Sequence, residues 1–483
     1  MKKSWLALLA VPALAYPAAA WYLGARVEST LDAQYQQLES LPYAKVVERR
    51  YERGVFGATE SVTLELFGDM MRAMHNAADT PDGAPAGPLR LRFTSQIQHG
   101  PFAGGALAAA VVDSQLVFDT DTQAELAKLF GANAPLTGHT VFKLDGSGTA
   151  TVSSPAVSTQ IPDQNTGEPL DIAWQGINAV VDFAPGMARY RLRGEAPRLE
   201  LKGADGAHMV MAGMRFTGEQ QRLFDDEPLL FAGSQRFSID EVQMQVPGDT
   251  GEGDRVALKQ ISYTVDMPAE GDFVDMVAKM GAETVDIGGT NYGPAHYDLS
   301  LKHLHARTVA KLYRVMLDAY SNPALMGPDA DPQLMLAPLA APAMELLGHN
   351  PSFALDRLSF TTPHGDAHLD LRASVPGITP EAIANPGLIM AVLDAGANIA
   401  LPEALLLGMA KDRAHAQMAA LSDTGTVSDD DLQMVVAQFE GKLQQLSGQG
   451  YITRDGGVVK STVAFKAGQL TVNGQPFNPM AMQ

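Results

Sequence analysis

The sequence predicts a β-dominated α+β fold. It comprises an extended, largely antiparallel sheet with several covering helices in the C-terminal half, preceded by one N-terminal transmembrane helix. Three observations carry this: apolar and polar residues alternate with period two through most of the chain. Helical periodicity is concentrated after residue 268. An uncharged run from Ser4 to Ala25 follows Lys2 and Lys3 and is closed by Arg26.

The run comes first in the chain and sets the location of everything after it. About 20 apolar residues cross a hydrocarbon core, and the leading lysines hold the start on the cytoplasmic side, so the body is exported. Leu6, Leu8, Leu9, Leu14, Leu23 and Val11 favour insertion by about 2 to 3.5 kcal/mol, while Pro12 and Pro17 oppose a straight helix. Ala18 and Ala20 form the small-x-small pattern that a signal peptidase cuts, which leaves a cleaved, released body as the alternative to an anchored one. Trp21 and Tyr22 read as interfacial aromatics, and Val27 to Leu38 reads as the helix continuing outward; the anchored form is the expectation.

Strand patterns follow in order. Glu60 to Leu66 places Val62, Leu64 and Leu66 on one face, and Leu89 to Gln98 sets Leu89, Leu91 and Phe93 against Arg90, Arg92 and Thr94. The alternation returns at 188–201, 207–218, 233–246, 255–267, 295–301, 355–375 and 393–401, separated by Gly, Pro and Asp turns. Helices are predicted over 298–320, with a stripe from Leu301 through Leu304, Thr308, Leu312 and Met316 to Tyr320, and over 428–446, where Ser428 caps and Gly448 stops. A third, Asp331 to Leu347, contains Pro338 and Pro342 and is expected to be kinked or broken. Stretches 76–88, 162–168 and 248–254 read as loops. The organisation is therefore an export segment (1–26), a β-rich region (27–267) and a mixed region continuing the sheet (268–483).

Composition narrows the chemistry. With no cysteine, the chain has no disulfide, thiolate metal site or cysteine nucleophile. Its 35 Lys and Arg against 55 Asp and Glu give a formal charge of −20, a surface that repels nucleic acid and anionic lipid headgroups. Zinc-protease, nucleophile-elbow, Walker and dinucleotide motifs are missing. Three weaker candidates remain. His364, Asp366, His368 and Asp370 would share one strand face and could offer imidazole and carboxylate to a metal, yet a solvent face gives the same alternation. His303 and His305 fall about 200° apart on the expected helix and read as surface residues. His99, before Gly100-Pro101-Phe102, reads as a turn ending a strand, and the acid runs at 225–227 and 429–431 as a loop and a helix start. No catalytic, cofactor-binding or metal residue is assigned.

Tyr51-Glu-Arg-Gly-Val-Phe56 before a strand, His99-Gly-Pro-Phe102, the Leu-rich segment running into a strand at 346–360, 393–401 and the ending Gly468-Gln-Leu-Thr-Val-Asn-Gly474 occur in an order that resembles the YdgA/YihF-like family of bacterial envelope proteins, a domain of unknown function. The resemblance implies an inner-membrane-anchored protein with a periplasmic β-rich body in a Gram-negative cell. In these motifs Gly54 and Phe56 read as a turn glycine and a core anchor, and Gly468 and Gly474 as hairpin turns.

The expected function is a non-enzymatic envelope protein, held in the inner membrane through residues 4–25, that self-associates or binds a periplasmic protein. The amphipathic helices at 301–320 and 432–446 would offer contact surfaces. The alternative is a lipid-handling protein that shelters phospholipid acyl chains on the apolar face of a long curved sheet, similar to AsmA-like proteins.

Overall fold

The computed structural model describes residues 3–39, 44–66, 68, 89–118, 129–162, 167–228, 230–246, 255–320, 332–379, 381–382, 385–421 and 429–477. The fold is β-dominated, with antiparallel sheet throughout and six α-helices among the described residues. The chain divides into two compact units, 1–238 with 306–343, and 239–305 with 344–483. The expected loops at 76–88 and 248–254, residues 163–166, Asp331 and the capping Ser428 lie outside the described residues.

The first unit opens with α1 (Lys3–Glu39), a helix that includes the uncharged run and the expected extension through Leu38. Its described side chains begin at Tyr16. A meander of β1 (Ala44–Arg53), β2 (Gly57–Leu66), β3 (Leu89–His99), β4 (Ala110–Val117), β5 (Thr137–Phe142) and β6 (Gly148–Ser154) follows, each strand antiparallel to the next. After the hairpin β7 (Val157–Pro162) and β8 (Pro169–Trp174), β9 (Ile177–Phe183) returns beside β6. The long β10 (Arg189–Gly203) pairs with β9 through Tyr190–Glu195 and with β8 through Leu199–Gly203, while β11 (His208–Arg222) lines its other edge. Pro197 sits where the partner changes from β9 to β8, the place in the ladder where a missing N–H is tolerated.

Period-two alternation sorts this sheet into two faces. Thr94, Gln96, Asp113, Gln115, Thr137, His139, Thr151 and Ser153 line a polar concavity on one side. On the other, α1 packs on β1, β3 and β4 through Val27 and Leu31, which bury against Ala58, Ile97, Ala110 and Val112. Further along that face two strand glycines let aromatic rings lie close on the backbone. A Cβ on Gly194 would meet the Phe216 ring at 2.2 Å, and one on Gly148 the Phe183 ring at 2.5 Å.

β12 (Phe231–Gln245) leads into the second unit. There β13 (Arg255–Met267), β14 (Ala269–Glu270), β15 (Phe273–Ala282), β16 (Thr284–Ile287), β17 (Thr290–Asn291), β18 (Ala295–His305), β19 (Ser352–Thr362), β20 (Gly365–Ser374) and β21 (Asp394–Pro402) precede β22 (Thr453–Asp455), β23 (Val458–Lys466), β24 (Gln469–Val472) and β25 (Gln475–Pro476). The lateral order β13, β15, β18, β19, β20, β21, β23 is antiparallel throughout. The expected hairpin turns hold: Ala467-Gly468 and Asn473-Gly474 are both left-handed pairs, with φ of 50° and 75°, and of 48° and 77°.

Several expectations are corrected. The helix expected from Asp298 is strand through His305, and α2 (Ala306–Tyr320) starts only there, burying Ala306, Thr308, Ala310 and Ala319. Leu299 and Leu301 follow the alternation of β15, their partner, and tertiary pairing overrides the helical reading. The segment with Pro338 and Pro342, expected to be kinked or broken, forms one helix, α3 (Pro332–Leu347), so of the two outcomes the break is not found. Prolines four apart share a face, so the missing donors line up on one side of the helix. α4 (Pro386–Val392) starts on Asn385, whose Oδ1 accepts from the Gly387 N–H at 3.1 Å, and α5 (Glu403–Leu421) was not expected. α6 (Asp429–Gly448) is stopped by Gly450 rather than by Gly448. Gly450 has φ 74°, and Tyr451 N–H returns to Leu446 O at 3.0 Å, a Schellman closure. Among the described residues no helix is long and apolar enough to cross a membrane, so they do not support the transmembrane helix expected over 4–25.

Candidate functional site: a clamp on the N-terminal helix

The segments Tyr51–Phe56 and His99–Phe102 are separated by over 40 residues, yet both close on α1. β3 ends at His99 because Gly100, at φ 140°, takes a backbone conformation open only to glycine and Pro101 follows. The adjoining turn is tied to this end by His99 N–H donating to Phe56 O at 3.0 Å and by Gly54 N–H donating to Gly57 O at 2.7 Å. A Cβ on Gly57 would lie 2.7 Å from Ile97 O, so this crossing of strands requires glycine.

Against this corner α1 presents Ala20, Gly24, Val27 and Leu31, spaced four, three and four apart, all buried. His99, 2 % exposed, donates from Nδ1 to Ala20 O at 2.9 Å; a carbonyl can only accept, which fixes the proton on Nδ1. Its ring lies on Gly24, where a Cβ would come within 2.5 to 2.7 Å of three imidazole atoms. Among the described residues His99 Nε2 has no hydrogen-bond partner.

A charged network fixes the helix further along. Arg49 of β1 bonds Asp32 of α1 through Nη1 and Glu60 of β2 through Nε at 2.7 Å, and Tyr35 donates to Glu60 Oε2 at 3.2 Å. The guanidinium lies 4.8 Å from the Tyr35 ring centre and 5.6 Å from that of Tyr51, in cation–π range. Burial first, then the Glu60 charge and hydrogen bond, pushes the Tyr35 hydroxyl well above its ordinary range. Burial, with Glu28 and Glu60 nearby, pushes Tyr51 up to about 12. Burial works against the charge of Arg49, and the bonds to Glu60 and Asp32 outweigh it, so its pKa is raised.

Phe56 is not the expected core anchor. It is 52 % exposed, and its ring lies 5.9 Å from that of Tyr16, which also stacks on Phe102 at 6.4 Å. Sequence reasoning read these motifs as turns. Their convergence on α1 leaves no local signal, since Phe56, His99 and Phe102 all lie far along the chain from Tyr16 and Ala20.

The other candidates are placed as follows. Asp366 accepts from Thr361 at 2.7 Å, and His368 Nε2 lies 3.2 Å from Asp370, which also accepts from Asn398 at 2.9 Å. His364 is in the preceding turn, so the four residues do not converge. His303 and His305 lie on β18, not on a helix. A bulge opposite β15, with His303 at φ 58°, brings both rings to Phe273, and His305 stacks on His349 at 4.1 Å. Asp226 makes a two-pronged pair with Arg307, and Glu227 bonds Arg314, so that acid loop is docked on α2. His139 and Asp113, which sequence reasoning passed over, pair across strands at 2.6 Å in the polar concavity of about 380 Å³. Among the described residues no hydroxyl bonds the other nitrogen of His139, and no group of three or more His, Asp or Glu could hold a metal. A cleft of about 70 Å³ between Leu23, Val27, Phe142 and Leu144 is well below the roughly 300 Å³ of an ordinary ligand pocket.

The family model described as "Bacterial protein of unknown function" matches residues 1–480. No curated protein and no solved structure matches the chain.

Proposed function

The chain belongs to the DUF945 family of bacterial proteins, and we propose that it is a non-enzymatic envelope scaffold: a β-rich body on the periplasmic side of the inner membrane, tethered by the uncharged part of α1, that self-associates or binds a periplasmic protein. The observation that carries this reading is the hydrogen bond from His99 to Ala20. It fastens the sheet to a residue inside the uncharged run, so the tether and the body form one piece.

The clamp also favours the anchored form over the cleaved one. Cutting after Ala20 would remove the carbonyl His99 holds and the Tyr16 ring between Phe56 and Phe102. The residues gathered at the clamp fix a helix: the glycines allow close approach, and Arg49 bridges Asp32 of α1 to Glu60 of β2.

One observation favours lipid handling as the second reading. The apolar face from β6 to β11 carries Val152, Val181, Leu192 and Phe216, each only half-buried. Native mass spectrometry of the full chain in detergent separates the readings. A lipid-free dimer or higher assembly supports the scaffold, near-stoichiometric phospholipid supports lipid handling, and a lipid-free monomer counts against both.

A further inference from the structure

We propose that the clamped end of the body is seated inside the bilayer interface, with Phe56, Phe102 and Leu107 immersed in the leaflet on the body's side. This rests on the anchored reading of α1. It goes beyond that reading by assigning a lipid-binding surface to the body itself.

The argument begins with length. From Ala20 onward one face of α1 is held against the sheet, with Ala20 at 0 % exposure while Trp21 and Tyr22 face outward, so only Ser4 to Ala19 is free of the body to cross the membrane. These residues rise about 24 Å at 1.5 Å each, against a hydrocarbon core of about 30 Å. The shortfall is about 6 Å, and any tilt increases it. Entry of the sheet corner into the leaflet by that amount, within the ~5–10 Å depth at which interfacial elements sit, makes up the difference.

The surface at that level suits the depth. Phe56 is 52 %, Phe102 62 % and Leu107 66 % exposed, large apolar side chains that a water-facing turn does not need. Tyr16, one turn of α1 before Ala20, is stacked with both Phe56 and Phe102, which places the two turns beside the helix where it leaves the sheet. The turns carry no charge from Gly54 to Thr59 or from Gly100 to Val112, although 19 % of the chain is charged. Just behind them Arg53 lies over the Trp21 ring at 5.2 Å, an aromatic–cation pair at the height where headgroups would stand.

The chain has no cysteine, so single spin labels can be placed in the full-length protein without background. Cysteine is introduced at Phe102, Leu107, Leu9 or Thr217 and the protein reconstituted in phosphatidylethanolamine–phosphatidylglycerol vesicles. Collision with oxygen, which partitions into lipid, is compared with collision with a water-soluble nickel chelate. Labels at Phe102 and Leu107 are expected to be accessible to oxygen and shielded from nickel by about fivefold or more relative to Thr217, an exposed strand position. If Leu9 is shielded while Phe102 and Leu107 meet nickel as freely as Thr217, the seating is wrong and the anchor stands. If Leu9 itself meets nickel, the anchored reading fails and the proposal with it. Shielding of Phe102 and Leu107 from both reagents would mean a protein contact and would also overturn it.

Discussion

His99 donates from Nδ1 to the carbonyl oxygen of Ala20 at 2.9 Å, across 79 residues of sequence, and its ring rests where a side chain on Gly24 would have to be. The contact joins the end of a strand to the inside of an uncharged helical run. One residue thereby ties the sheet to the helix.

A double-mutant cycle tests that contact. Gly24→Ala gains up to ~1 kcal/mol of helix propensity but forces a methyl into the imidazole, and is expected to destabilise the full chain by about 1–2 kcal/mol net. His99→Ala loses the bond and the ring packing, about 2 kcal/mol. Combined, Gly24→Ala should cost little once the ring is gone, so the two effects fall short of additive by about 1 kcal/mol or more in urea unfolding. Strict additivity would show that the ring and Gly24 do not meet.

The network around Arg49 predicts both a mutational and an alkaline response. Glu60, with its side chain 2 % exposed, pairs with Arg49, and Glu60→Gln should cost about 1–2 kcal/mol by replacing one of that cation's two charged acceptors with a neutral one. Tyr51 is raised from 10.0 to about 12, and Tyr35 shifts the same way. A folded pKa above the unfolded one gives stability that is complete below pH 10 and is lost as pH rises toward 12. Ultraviolet titration should find at least three late-ionising tyrosines, Tyr35, Tyr51 and Tyr190, and one fewer in Tyr35→Phe.

Arg454 ties the start of α5 to α6, bonding Glu403 at 2.8 and 2.7 Å and Glu440 at 2.7 Å. Its hydrogen bonds hold both carboxyls below their ordinary range, so their contribution is present near neutrality and fades as pH falls below about 4.5. Arg454→Gln should speed amide exchange at the start of α5 in low salt, and the difference from wild type should shrink in 1 M salt, where the Debye length is about 3 Å. An effect indifferent to salt would assign the fork a packing role instead.

Much of the sheet is legible in the sequence, because half-buried strands must alternate. β10, β11, β12, β13 and β21 fall where period two places them, and Gly468 and Gly474 mark the turns on either side of β24. Strands β5 to β9 escape because residues such as Thr149, Ala150 and Thr151 are small and weakly apolar. The first part of β18, over 295–301, is legible by its alternation, but Leu301, Leu304 and Thr308 also fit helical spacing, and the bulge at His303 breaks the alternation that would carry the strand on to His305. At the clamp, His99 and Gly100 are legible as a strand end, whereas Phe56 misleads. A Phe beside a turn glycine usually packs inward, and only the position of Tyr16 on α1 explains why this ring stays outside.

The most direct test of the central claim, that the clamped helix remains part of the mature protein, is the intact mass of the chain recovered from cell envelopes after carbonate extraction. The clamp predicts a membrane-retained species of the full 51.4 kDa that still contains residues before Trp21. A soluble species beginning at Trp21 would contradict it, because Ala20 and Tyr16 would then be missing from the folded body.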